Sequence, residues 1–153
     1  MVGLPGAGKT TAAAALTRLA GHQGFSADDA ITAAGITTRA AADAIRAGIE
    51  QEQVRRAREL ARAGAHVWLD HGFWSAAERA EWREWGRRHR VRIVLIWCEA
   101  PAEVRWARLA ARVGPFRPLD RAEFDGWTAS FEVPNNEELA EYDAFERLLA
   151  DET

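Results

Sequence analysis

Eight residues near the start of the chain have the types and spacing to hold a phosphate. Gly3-Leu4-Pro5-Gly6-Ala7-Gly8-Lys9-Thr10 matches G-x-x-x-x-G-K-[ST] at every fixed position. Glycines let the backbone turn so that successive N–H groups converge on an anion. The helix expected from Thr10 to Ala20 turns its positive end to the same point. Gly3, Pro5, Gly6, Ala7, Gly8, Lys9, Thr10 and Thr11 are therefore the candidate nucleotide-binding residues. Lys9 supplies a compact charge for the β- and γ-phosphates, and the Thr10 hydroxyl is a candidate Mg²⁺ ligand. Composition also singles out that lysine: of 20 basic residues, Lys9 is the only lysine and the other 19 are arginine. The competing reading is a chance glycine-rich turn, against which stand four fixed positions and a following helix.

Phosphoryl transfer further needs a second metal ligand, a group to take the acceptor's proton, and cations for the developing charge. Asp70 ends the apolar run Ala65-His66-Val67-Trp68-Leu69-Asp70, where an acid reaches a metal beside the loop; a turn-capping Asp is the alternative. Asp28 and Asp29 follow Gly24-Phe25-Ser26-Ala27, where an acid can accept the proton of an attacking hydroxyl; capping a short helix is the alternative. Arg105, Arg108 and Arg112 share one helix face before a Gly/Pro loop, the arrangement of a lid carrying transition-state cations. Arg108 and Arg112 are the catalytic candidates, and a solvated arginine face is the alternative. Arg39 and Arg79 are weaker candidates for binding a substrate anion. Trp74 and Trp127 are candidate walls of an acceptor pocket, and the four histidines have no ligand spacing.

These residues need a scaffold that alternates strands and helices. Val91–Cys98 is almost continuously apolar, as a strand covered on both faces is. A long helix is expected over 39–63, ended by Gly64. Ser75-Ala76-Ala77-Glu78 and Asp120-Arg121-Ala122-Glu123 are capping-box patterns opening two more. Pro101 begins a helix running to Arg112. Val113–Pro118 is a loop. Asn135 caps a last helix carrying Leu139, Tyr142, Phe145 and Leu149, although 142–149 also reads as strand. Such alternation means a parallel sheet with right-handed crossovers. A loop of this kind normally follows a buried strand of several residues, but only Met1 and Val2 precede Gly3. The expectation is a first strand reduced to a stub, or a chain that starts late.

The 153 residues, 48% hydrophobic with net charge −3, suit one domain over 1–153 with a lid at about 105–120. One cysteine excludes a disulfide scaffold. No apolar run approaches the ~20 residues of a membrane span, and no leader precedes the loop, so a cytoplasmic protein with no membrane partner is expected. The acidic balance argues against a nucleic-acid partner. A polynucleotide kinase would need the Arg83, Arg87, Arg88, Arg90 cluster, which reads as a solvated helix end.

The segments Gly3–Thr11, Ser26–Asp29, Val67–Trp74 with Arg79, Arg105–Arg112 and Phe131-Glu132-Val133-Pro134, in this order, resemble the bacterial ATP-binding P-loop kinase-like proteins related to zeta toxin and chloramphenicol phosphotransferase. The resemblance implies a three-layer α/β P-loop fold of the nucleoside-kinase type, with a mostly parallel sheet and ATP with Mg²⁺. It implies Asp28 as general base and Arg108 and Arg112 as lid cations. Relatives often carry an arginine shortly after the catalytic acid, where this chain has Ile31. The expected function is transfer of the γ-phosphoryl group of ATP to a hydroxyl of a small molecule. The alternative is a nucleotide-binding regulatory or degenerate NTPase module without an acceptor. The choice of ATP over GTP, the acceptor and the oligomeric state are not read from the sequence.

Overall fold

A single residue ties the sheet together. The computed structural model describes residues 1–19, 21–112, 115–116 and 120–150. Strand β1 (His22–Ser26) pairs in parallel with β2 (His66–Asp70), and β3 (Val94–Glu99) pairs in parallel with β4 (Ala144–Leu149). Val2 lies between these ladders and bridges Gly72 on one side and Trp97 on the other, both in parallel. Its N–H donates to Ile96 O at 2.8 Å and its carbonyl accepts from Cys98 N at 2.9 Å. Ahead of Gly3, Val2 makes these strand contacts with both neighbours. The order β1, β2, Val2, β3, β4 gives an α/β fold with the phosphate-loop strand at its centre.

Helix α1 (Lys9–Thr17) follows the loop and is shorter than expected; Ala20 lies outside the described residues. Helices α2 (Ala27–Ala33) and α3 (Arg39–Arg62) connect β1 to β2, and α4 (Ala76–His89) connects β2 to β3. The full capping box forms at the start of α4, Ser75 and Glu78 each satisfying the other's backbone N–H. Helix α5 (Ala102–Ala110) starts one residue later and stops two earlier than its sequence pattern, with Pro101 as cap. Asp120 caps α6 (Arg121–Ala129), but only half of its box forms, because Glu123 turns to Arg39 instead. The loop at 113–118 lies outside the described residues except for Pro115 and Phe116. Among the described residues no helix is long and apolar enough to cross a membrane.

The C-terminal expectation needs correction. Asn135 caps only the five-residue α7 (Asn136–Ala140), and Phe145 and Leu149 belong to β4. The spacing of Leu139, Tyr142, Phe145 and Leu149 mimics a helix, but β3 would otherwise leave a full row of backbone groups unpaired. Asp143 fixes the turn into β4 by accepting from Ile93 N at 2.7 Å.

One core cluster joins Val2, Leu95, Trp97 and Leu139, with Phe73, Phe131 and Tyr142 against it. Beside it lies a charged knot. Arg79 is 1% exposed and donates through Nε and Nη2 to both Glu138 oxygens, at 2.6 and 2.8 Å, while its Nη1 reaches the Phe73 and Trp74 carbonyls. Arg83 donates to the same Glu138 and to the Tyr142 hydroxyl. Arg79 is therefore a tie between α4 and α7 and not an anion-binding group, and Arg83 is buried instead of solvated. Burial pushes the Glu138 carboxyl up, but the hydrogen bonds and charges of the two arginines outweigh it and hold the group below the usual glutamate range.

Removing one partner leaves a buried charge unanswered, so Glu138→Ala is expected to cost about 3–5 kcal/mol, whereas the double replacement Arg79→Met with Glu138→Leu recovers much of that loss. Urea unfolding of the three proteins measures both. Because its folded pKa is depressed, Glu138 contributes stability above the unfolded value of 4.5 that is lost as pH falls below it. Acid unfolding of Glu138→Ala should lack that component.

Candidate functional site

The loop is built from backbone conformations that its residue types permit. Gly8 sits just ahead of α1 at φ 101°, a left-handed value, and a Cβ built there meets no described atom within 4 Å. Glycine is needed at this position for its torsion, and the space above it stays open. Gly6, at φ 81°, is constrained by packing as well: a Cβ there would lie 2.9 Å from the Arg105 carbonyl oxygen, so α5 packs directly on the loop. Lys9 opens α1 and folds back to donate from Nζ to Leu4 O at 3.2 Å. Burial lowers its pKa, opposed by the nearby Asp70 charge. Thr10 and Thr11 follow, both exposed at the helix start.

A cleft of about 950 Å³ opens above this loop. Pro5, Gly6, Ala7, Gly8, Lys9, Thr10 and Thr11 form its floor; Asp28, Asp70, Arg108 and Arg112 line its sides. Gly3 lies beneath, buried, its N–H donating to Gly72 O. Strand and helix ends explain the gathering. Asp70 ends β2, Asp28 stands in the first turn of α2 just beyond β1, and α5 follows β3. All three emerge at the same edge of the sheet, where ligands of open parallel sheets bind.

Asp70 has an unusual environment. Its Oδ1 is buried and has no hydrogen-bond partner among the described residues. Burial raises its pKa, offset in part by Lys9. A buried carboxylate oxygen without a partner calls for a cation or water to answer it, and this observation fits a divalent metal. Among the described residues no group of three or more His, Cys, Asp or Glu side chains encloses an ion alone. Mg²⁺ does not require one, since it takes one or two carboxylates and completes its shell with phosphates and water.

The remaining candidates divide. Asp28 Oδ1 accepts from Arg46 Nη2 at 2.7 Å, which fixes the carboxylate's position in the cleft. Asp29 is exposed, and its N–H is capped by Ser26 Oγ. Arg108 donates to Gly6 O at 3.2 Å, tying α5 to the loop. Arg105 is 4% exposed and donates to Ala100 O and Thr128 Oγ1 over the Phe124 ring, so it fastens α5 to α6. Trp74 and Trp127 both line the cleft, their ring centroids 6.4 Å apart. Phe131–Pro134 holds that wall: Glu132 N donates to Trp74 O, and Glu132 Oε2 accepts from Ala76 N.

Three charged residues of the cleft, Asp43, Arg46 and Glu50, are not marked out by any sequence motif. Arg39, Asp43, Arg46 and Glu50 lie at i, i+4, i+7 and i+11 of α3 and face the cleft together. The charged spacing is the signal the sequence carries, and it has the same pattern as a helix's solvent face. His71 also lines the cleft, and burial, the chain's amino group and Arg46 hold its imidazole neutral, with a pKa lowered to about 4.

The family model described as AAA domain matches residues 1–134 of the chain. No curated protein matches it.

Because burial raises the folded pKa of Asp70 above its ordinary value of 3.8, its contribution to stability is full below that pH and declines as pH rises through the folded value. Asp70→Asn is therefore expected to be more stable than the natural chain at neutral pH without nucleotide, by about 1 kcal/mol. The gap should widen from pH 4 upward. Thermal unfolding across pH checks this; an Asp70→Asn protein that melts lower at pH 7 contradicts it.

Proposed function

We propose a function from this premise: the chain belongs to the AAA-domain family, a P-loop NTPase-like family that includes kinases. Within it, the Val67–Trp74 and Arg105–Arg112 segments favour kinship with the ATP-binding kinase-like proteins related to zeta toxin and chloramphenicol phosphotransferase. The proposed activity is transfer of the γ-phosphoryl group of ATP to a hydroxyl of a small molecule by one domain whose lid starts in α5. The observation that carries it is the single cleft shared by the loop, the unpartnered Asp70 oxygen and Asp28.

In this reading the loop amides and Lys9 hold the phosphates. Thr10 and Asp70 are the residues that would hold Mg²⁺, which when bound neutralises charge on the phosphates. Asp28, oriented by Arg46, accepts the acceptor's proton. The hydroxyl oxygen bonds to the γ-phosphorus as the bond to the β–γ bridging oxygen breaks. ADP leaves with that electron pair. Arg108 and Arg112 stabilise the charge spread over the transferring group. The position held by arginine in relatives is Ile31 here, fully buried in the core; the guanidinium beside the acid comes instead from α3, through Arg46.

Lys9→Ala is expected to lower ATP-dependent transfer at least about a hundredfold while its thermal melt stays close to that of the natural chain. Unchanged transfer refutes the assignment. Release of ADP with and without a panel of hydroxylated acceptors separates this reading from a binding module. Stimulation by an acceptor is the expected result, and nucleotide binding with no stimulated release by any acceptor favours the module.

A further inference from the structure

The ladder between β1 and β2 ends on the pair Ser26–Asp70. Beyond it the chains part, β1 leading into α2 and β2 into the segment 71–75 ahead of α4. Asp70 stands on the last rung and Asp28 two residues past it, so backbone pairing alone does not set their spacing. A side chain of α3 takes over at that point. Gln53 Nε2 donates to Ser26 O at 3.0 Å, and His71 Nε2 meets Gln53 Oε1 at 2.8 Å. A carboxamide offers a donor and an acceptor, as a peptide unit does. Gln53 thereby carries the connection between the two strands one residue beyond the ladder.

Each bond has one possible direction. Ser26 O only accepts, which turns the Gln53 amino group to β1 and leaves the amide oxygen for His71. That oxygen also only accepts, so His71 carries a proton on Nε2 and donates it. The His71 ring stacks on Phe73, with centroids 5.9 Å apart. Arg46 and Gln53 lie at i and i+7, on one face of α3. Arg46 holds the Asp28 carboxylate, and Gln53 holds the carbonyl of Ser26, the residue that caps α2. Helix α3 therefore grips the turn that carries Asp28 at two points and, through His71, the residue after Asp70. We infer that Gln53, acting with His71, is a positioning residue that sets the gap between the proton acceptor Asp28 and the metal ligand Asp70. This inference rests on the phosphotransferase reading and deepens it. His71 lines the cleft, whereas Gln53 stands behind its wall. The gap matters because the hydroxyl is activated at one acid and the phosphate is held beside the other. Misplacement by about 1 Å costs such a reaction up to about a hundredfold. Phosphate binding is independent of the gap, because the bonds of Val2 and Gly3 set the entry to the loop.

Gln53→Met keeps the length of the side chain and its helix propensity but removes both bonds. Its ADP release from ATP with Mg²⁺ is measured in water and with the panel of hydroxylated acceptors. The expected result is a kcat lowered about tenfold or more with KM for ATP unchanged. His71→Phe keeps a ring beside Phe73 and removes the donor, so its kcat should fall as well. The double variant should be no slower than Gln53→Met alone, because the two residues act as one unit. Nitrogen NMR of the His71 imidazole supplies a readout that needs no turnover: a proton on Nε2 in the natural chain, and a mixture of tautomers in Gln53→Met. An unchanged kcat in Gln53→Met, a KM for ATP that rises in step with the loss of kcat, losses that add in the double variant, or a natural-chain His71 without a proton on Nε2 overturns the inference. If the natural chain turns over and Gln53→Met matches it, the positioning role alone falls. If the natural chain releases no ADP with any acceptor, the phosphotransferase reading falls and this inference with it.

Discussion

The clamp on Val2 is the constraint on which the rest of this molecule depends. Two backbone hydrogen bonds to β3 and the neighbouring bond from Gly3 N to Gly72 O set the entry to the phosphate loop between β2 and β3. Everything that converges on the cleft is positioned relative to that entry. Asp70 ends the strand on one side, and α5 with Arg108 follows the strand on the other. In a longer strand this job is shared among many bonds; here a residue 2% exposed and its neighbours carry it. Because a buried backbone group left unpaired is costly, the loop has little freedom to move apart from the sheet.

Around this clamp, charge is handled in two distinct ways. In the knot of Arg79, Arg83 and Glu138, buried charges are fully answered and serve packing. In the cleft they are not: Asp70 keeps an oxygen without a partner among the described residues, and Lys9 is held with a lowered pKa. Folding tolerates such unmet charge where a ligand answers it.

What the sequence revealed follows the range of the interactions involved. The loop was legible because its chemistry lies in eight consecutive residues, and Asp70 because it ends an apolar run. Strand β1 was nearly invisible for a packing reason: the Trp68 ring lies across Gly24, where a Cβ would come within 1.8 Å, so the strand carries a glycine in place of an apolar residue. Arg79 was misread because its partner Glu138 lies 59 residues away. β4 was ambiguous because its apolar residues also fit helical spacing, and only pairing with β3 decides between the two. The charged stripe of α3 has the pattern of a solvent face, and only the packing of α2 and α6 turns it into the wall of a cleft.

Hydrogen exchange with a non-hydrolysable ATP analogue, with and without Mg²⁺, tests the central claim most directly, that the loop and the end of β2 form one metal–nucleotide site. The account predicts slowed exchange in 3–12 on adding the analogue, and further slowing at 69–72 only when Mg²⁺ is present. Nucleotide binding that leaves both segments unchanged, or that protects the loop with no dependence of 69–72 on the metal, would contradict it.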